Sequence, residues 1–229
     1  MMMGDYDLLT SPAGKGIVIK NGVIESIQES KELEEEYGTE KDATEECRIV
    51  SLEGHAVIPG LVDGHNHLLW SGDRSNEISM KQQGMSYKEI AAAGGGIQHT
   101  VRETALASEE ELLKLGYQRM RVAFQNGTTH METKSGYGLS TQSELKLLDV
   151  ANRLSTIDHL PTMELTWLGA HDIPKGHTRS QYVEEILSDQ LPSVLEQGYA
   201  EAADVFCEPG WFTTEESEVI LQAAKKGGL

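Results

Sequence analysis

The stretch VIPGLVDGHNHLLW, residues 57–70, decides how the rest of the chain is read. Ile58, Leu61 and Val62 form an apolar run of the length of a buried strand, and it ends in two histidines, His65 and His67, one residue apart. Side chains alternate faces along an extended chain, so positions i and i+2 project the same way, about 6–7 Å apart. Two imidazoles so placed can close on one cation at metal–nitrogen distances of about 2.0–2.1 Å. H-x-H alone fits a strand end with two solvated histidines just as well, so the remaining sequence has to choose.

Downstream of this strand the chain alternates helix and strand. Two short helical stretches, 76–83 and 87–93, are broken by Gly84 and by the run AGGGI. Ser108 with Glu111 three residues on is a capping-box pattern, opening a longer helix that runs to Asn126-Gly127. TTHMETK, residues 128–134, is a second strand. Thr141 and Glu144 read as another capping box, for a helix with Leu147, Val150, Ala151 and Leu154 along one face. TMELTWLGAH, residues 162–171, is a third strand, followed by a helical region over 181–197 interrupted at Pro192. EAADVFCE is a fourth strand, and Thr213 with Glu216 boxes a last helix that closes at Gly227.

Four strand–helix units in one order predict an α/β fold with a parallel sheet and right-handed crossovers. No G-x-G-x-x-G follows a strand and no G-x-x-x-x-G-K occurs, so a nucleotide-binding sheet is not indicated. AGGGI follows a helix and reads as a flexible loop or lid. The chemistry-bearing residues fall at strand ends: His65 and His67, Lys134 and Tyr137, His171. In a β/α barrel that edge carries the active site.

Residues 1–58 have a different texture. GIVIKNGVIESIQ places two alternating apolar runs around Asn21-Gly22, a hairpin signal. The acidic run ESKELEEEYGTEKDATEE, residues 29–46, reads as a mobile insertion or a frayed helix, and RIVSLEGHAVIPG as further short strand. This β-region is too small for a core of its own.

The 229 residues carry 19 basic and 37 acidic side chains, a net charge of −18. Such a surface repels nucleic acid and anionic membrane. No apolar run approaches the ~20 residues of a membrane span, and MMMGDYDLLT lacks the basic and apolar regions of a secretory signal. Two cysteines, Cys47 and Cys207, make neither a disulfide framework nor a thiolate metal site, which fits a reducing, cytoplasmic setting. An acidic protein acting on an anionic substrate needs a local cation in its cleft. Arg74, in SGDRSNE just beyond His67, is placed to be one, because its fork can grip a carboxylate with two bonds. Tyr137, on the Gly-flanked loop KSGYGLS, fits packing or a hydroxyl donor equally. Lys134 fits a pairing with an acidic neighbour, and Glu208 could face the cleft. His55, His99, His130, His159 and His177 read as structural, and Trp70, Trp167 and Trp211 as packing.

The blocks PGLVDGHNH, SGDRSNE, AGGGI, ETKSGYGL followed by SELKLL, LGAH and DVFCE resemble, in that order, the amidohydrolase superfamily and within it the imidazolonepropionase family. KSGYGL together with AGGGI is the specific part of the match. The resemblance implies a TIM-type (β/α)8 barrel, with its first half at 59–229, and a small β-sandwich domain of which 1–58 is part. It implies one zinc or iron ion held by His65 and His67, with Arg74, Tyr137 and His171 contacting the substrate and His171 also assisting catalysis. The implied reaction is hydrolysis of 4-imidazolone-5-propanoate to N-formimidoyl-L-glutamate in histidine degradation, by metal-activated water opening the ring C–N bond. It further implies a cytoplasmic enzyme, a homodimer when full length, with no nucleic-acid or membrane partner. The family pattern continues with another metal histidine, a metal aspartate and an acidic substrate contact, so the chain is expected to be the N-terminal part of a longer protein. Two other readings remain open here: a different cyclic amidohydrolase or heteroaromatic deaminase, and a non-catalytic half-barrel fragment.

Overall fold

Asn21 and Gly22 both adopt positive φ, 52° and 76°, and turn strand β1 (Lys15–Lys20) back on β2 (Val23–Glu29) as an antiparallel pair. Positive φ at both central residues is the two-residue turn whose twist matches that of the strands. The computed structural model describes residues 14–44, 47–52 and 54–229. The chain divides into two compact units, Met1–Ile58 and Pro59–Leu229.

In the first unit the acidic run forms helix α1 (Ser30–Tyr37), which buries none of its residues, and a 3-10 turn at Glu40–Asp42. Glu45 and Glu46 of that run lie outside the described residues. The further strand expected in RIVSLEGHAVIPG is absent among the described residues. Val50, Leu52, Val57 and Ile58 are exposed, and the backbone bonds of this segment include His55 N–H to the Leu52 carbonyl and Ser51 N–H to the Glu40 carboxylate. An extended segment becomes a strand by pairing its backbone with a neighbour, whatever its apolar content.

The second unit is built on four parallel strands, β3 (Leu61–Asn66), β4 (Thr128–Lys134), β5 (Thr162–Ala170) and β6 (Ala202–Val205), arranged in chain order. A doubly wound sheet reverses its order partway; this one does not, as in a segment of a barrel. β5 is the best covered, with Leu165 to Ala170 all buried. β3 lies at the edge, and its Val62 is 66% exposed where the sequence pointed to a buried strand.

Helix α5 (Glu109–Gln125) packs on α6 (Thr141–Ser155) and on β4, and α6 packs on β5. The face of α6 carrying Leu147, Val150, Ala151 and Leu154 meets Leu112 and Met120 of α5 and Met131 and Leu165 of the sheet in one core cluster. Gly116 lets these layers close: a Cβ there would stand 2.5 Å from Leu154 Cδ1 and 2.7 Å from Leu69 Cδ2. A second cluster joins Trp167, Tyr182, Ile186, Val194, Phe212 and Ile220.

The structure departs from expectation at three joints. The run AGGGI is a helix–helix joint: α2 (Asn76–Gln82) and α3 (Tyr87–Ala92) precede it, and Gly96, at φ 70°, is the N-cap of α4 (Ile97–Leu106). The fully buried residues of α4 are Thr100 and Thr104, with Val101 partly buried against the core, so its packed face gives little apolar periodicity to read. Second, α6 is capped by Ser140, which accepts from Ser143 N–H, one residue before the expected cap. Third, helices α7 (Arg179–Glu185) and α8 (Leu191–Gln197) are separated by a π-helical segment, Ile186–Gln190. Pro192 sits in the first turn of α8, directly after that segment, whose last bond runs from Leu191 N–H to the Ile186 carbonyl. The last helix, α9 (Thr214–Gly227), starts with the expected Thr213–Glu216 box. No helix among the described residues is long and apolar enough to cross a membrane.

Candidate functional site

The C-terminal ends of β3, β4 and β5 bring four candidate residues into one ring cluster. His65 and His67 stand 6.1 Å apart, centroid to centroid, at 79°. The His67 ring stacks on His171 at 4.7 Å and 13°. Tyr137 lies 4.7 Å from His67 and 5.3 Å from His171. Arg74, the fifth candidate, lines the same cleft of about 560 Å³ with His65, His67, Trp70 and Tyr137. Arg119 of α5 holds the chain that leaves His67, donating to the carbonyls of Leu68 (2.7 Å) and Trp70 (2.9 Å) and lying 3.8 Å over the Trp70 ring.

The donor chemistry of the histidine pair suits a cation. With metal–nitrogen bonds of about 2.0–2.1 Å, two ring centres sharing one ion lie about 5.2 Å apart at a tetrahedral angle and about 6.4 Å apart only in line; at 6.1 Å the pair stands wider than the tetrahedral arrangement. Nδ1 of His67 is buried and has no hydrogen-bond partner among the described residues. Burial pushes the pKa of His67 down to about 4, with the neighbouring His171 acting in the same direction. A neutral imidazole with an uncommitted nitrogen is what a metal takes up. Among the described residues no group of three or more His, Cys, Asp or Glu is placed to hold a metal ion.

His171 is fixed in one tautomer. Its Nδ1 lies 2.8 Å from the Gly136 carbonyl, which can only accept, so Nδ1 carries the proton. Burial lowers the pKa of this ring as well. In the neutral ring Nε2 is therefore an acceptor, and it donates only after taking up a proton.

Tyr137 stands on the β4–α6 loop, and the carboxylate of Glu144 shapes that loop. Its Oε1 accepts from Gly138 N–H (2.7 Å) and Leu139 N–H (2.9 Å), its Oε2 from Gly136 N–H (3.0 Å). The loop is tight. A Cβ on Gly136 would stand 2.9 Å from His171 Nδ1, and one on Gly138 would stand 2.6 Å from the Glu144 nitrogen. Leu139 is held at φ 50°, a conformation that side chains other than glycine adopt at a cost.

Arg74 grips a carboxylate with two bonds, and that carboxylate belongs to Glu77: Nε to Oε1 at 2.8 Å and Nη2 to Oε2 at 3.0 Å. Glu77 is buried and also accepts from Gly96 N–H at 2.7 Å, so it joins the arginine to the glycine joint. Lys134 pairs with Glu132 (2.6 Å) and Asp204 (3.0 Å), spanning β4 to β6. His130 places Nδ1 2.8 Å from Thr162 Oγ1 across the strand pair, and Glu208 is exposed.

Glu77 and Glu144 are the residues that motif reading passed over. Glu77 closes the block SGDRSNE three positions after Arg74, the spacing of neighbours on a helix. That spacing was its signal. Glu144 carried a helix-cap signal that pointed to a different partner.

No family model matches the chain. It is 46% identical over 179 residues to the imidazolonepropionase of Shewanella sediminis (strain HAW-EB3), covering 77% of this chain and 44% of that protein. It is 41% identical over 221 residues to a probable imidazolonepropionase of Dictyostelium discoideum, covering 94% of this chain and 51% of that protein. Against the imidazolonepropionase of Haloarcula marismortui it is 37% identical over 242 aligned residues, covering all of this chain and 56% of that protein. The chain thus spans about half the length of the curated relatives it matches.

Proposed function

We propose that this chain is part of an imidazolonepropionase, a hydrolase that opens 4-imidazolone-5-propanoate to N-formimidoyl-L-glutamate in histidine degradation. One observation carries the reading: His65, His67, Tyr137 and Arg74 line a single cleft, and His171 stacks on His67 and stands beside Tyr137. Relatives of that name, aligned along 77% to 100% of the chain, support it. On this reading the four-stranded sheet is half of an amidohydrolase-type (β/α)8 barrel, and residues 1–58 are part of a small β-sandwich.

His65 and His67 would hold one zinc or iron ion, which when bound supplies an activated water and polarises the ring carbonyl. The chain's own residues orient and protonate. Arg74 pairs with the propionate, and Glu77 sets the plane of its guanidinium; a guanidinium can face two carboxylates along two edges. This fixes the ring against the histidines and turns binding energy into positioning. Tyr137 donates its hydroxyl to the substrate. With Nδ1 of His171 committed to Gly136, Nε2 is the atom that meets the substrate. It accepts a hydrogen bond while neutral, and once protonated it stabilises negative charge developing on oxygen.

The test is metal analysis and turnover of imidazolone propionate by the full-length protein. His65→Ala should lose both bound metal and activity, and turnover by metal-free wild-type protein would overturn the reading. Arg74→Ala should raise KM for this carboxylate substrate, by about 2–5 kcal/mol of binding for a desolvated pair. A KM indifferent to Arg74 would point to a substrate without a carboxylate.

A further inference from the structure

Glu144 sits in the first turn of α6 and is 0% exposed. It does not line the cleft, and no cation pairs with it among the described residues. Its own helix has no need of it, since Ser140 provides the cap. A carboxylate buried without a cation is costly to keep, and burial raises its pKa. What it does instead is gather three backbone N–H groups of one loop, those of Gly136, Gly138 and Leu139. Gly136 and Gly138 flank Tyr137, and the carbonyl of the same Gly136 holds His171 Nδ1. One side chain therefore sets the place of a hydroxyl and, through one glycine, the tautomer and orientation of an imidazole.

We propose that Glu144 is a positioning residue for the hydrolytic reaction, acting through the Gly136–Leu139 loop to align Tyr137 and His171 together. This rests on the imidazolonepropionase reading above. A two-oxygen acceptor is required because three donors converge. A glutamine of the same size would turn an amide N–H₂ toward one or more of them, leaving buried donors unpaired. The loop would then shift, and misplacement by about 1 Å costs on the order of 10²-fold in rate.

The experiment compares wild type with Glu144→Gln in the full-length protein. Metal content, melting temperature, kcat and KM are measured together with the ¹⁵N signals of the His171 ring. The expected result is kcat lower by about 10²-fold, a smaller change in KM, retained metal, and a shifted or exchange-broadened Nδ1–H signal for His171. Kinetics equal to wild type overturn the proposal while leaving the reading of the activity intact. So does a loss of activity that only tracks lost folded protein or metal, with the His171 signal unchanged. If Glu144→Gln does not fold, amide exchange in the wild type decides. Gly136, Gly138 and Leu139 should be as protected as the core of β4 and β5, and rapid exchange at these three amides overturns the proposal. If wild type does not turn over imidazolone propionate, the reading of the activity fails. The ring signal then still shows whether Glu144 controls His171.

Discussion

Glu77 takes three hydrogen bonds at once, two from Arg74 and one from Gly96, and the guanidinium beside it holds its carboxyl below the usual range. A carboxyl whose pKa is lower folded than unfolded adds stability above its unfolded pKa. That stability is lost as pH falls through the folded value. Glu77→Gln should therefore flatten the acid limb of a plot of melting temperature against pH, below about pH 4.3, and raise KM through the loosened arginine. An unchanged acid limb would mean that the pair contributes nothing to folding. Residues of this kind were the least legible in the sequence. His65, His67, Tyr137 and His171 were gathered as candidates because strand ends in a β/α chain collect on one edge, while their individual roles came only from the family resemblance. The carboxylates behind them were not, because a glutamate that holds a loop has the same local pattern as one that caps a helix. At Thr141 and Glu144 the pattern S/T-x-x-E was present, but three loop N–H groups in a dry interior outcompeted the cap.

The elements show the same division between what periodicity reveals and what it hides. Helix α6 was legible from Leu147, Val150, Ala151 and Leu154, and these four are buried. Leu154 is 0% exposed and meets both α5 and the sheet cluster, so Leu154→Ala should cost about 2–5 kcal/mol. Chemical denaturation checks this, and a loss under about 1 kcal/mol would mean that the α5–α6 layer closes over the cavity. Helix α4 was missed because its fully buried residues are threonines, one of which, Thr104, accepts from Ser71 N–H at 3.0 Å, with Val101 only partly buried against the core. A polar residue satisfied by a specific partner packs as well as an apolar one, yet leaves no hydrophobic stripe. The hairpin at Asn21-Gly22 was legible because its turn needs positive φ at two positions.

For the molecule as a whole, the parallel sheet followed from strand–helix alternation alone, and the order β3-β4-β5-β6 adds that each strand lies beside its predecessor. The exposure of β3 could not be read, since an apolar strand looks the same at an edge as in a centre. The neighbour-to-neighbour order has a consequence for how the cleft comes into being. Each new strand docks on the one synthesised just before it, so the sheet can extend along one edge while the chain is still leaving the ribosome. Every ring of the cluster, from His65 to His171, is in hand once the third strand of this unit has emerged. The pocket is thereby built by successive pairings of neighbouring strands, Leu61 with Thr128 and His130 with Thr162, and each ring of the cluster stands on one of these three strands or directly after it.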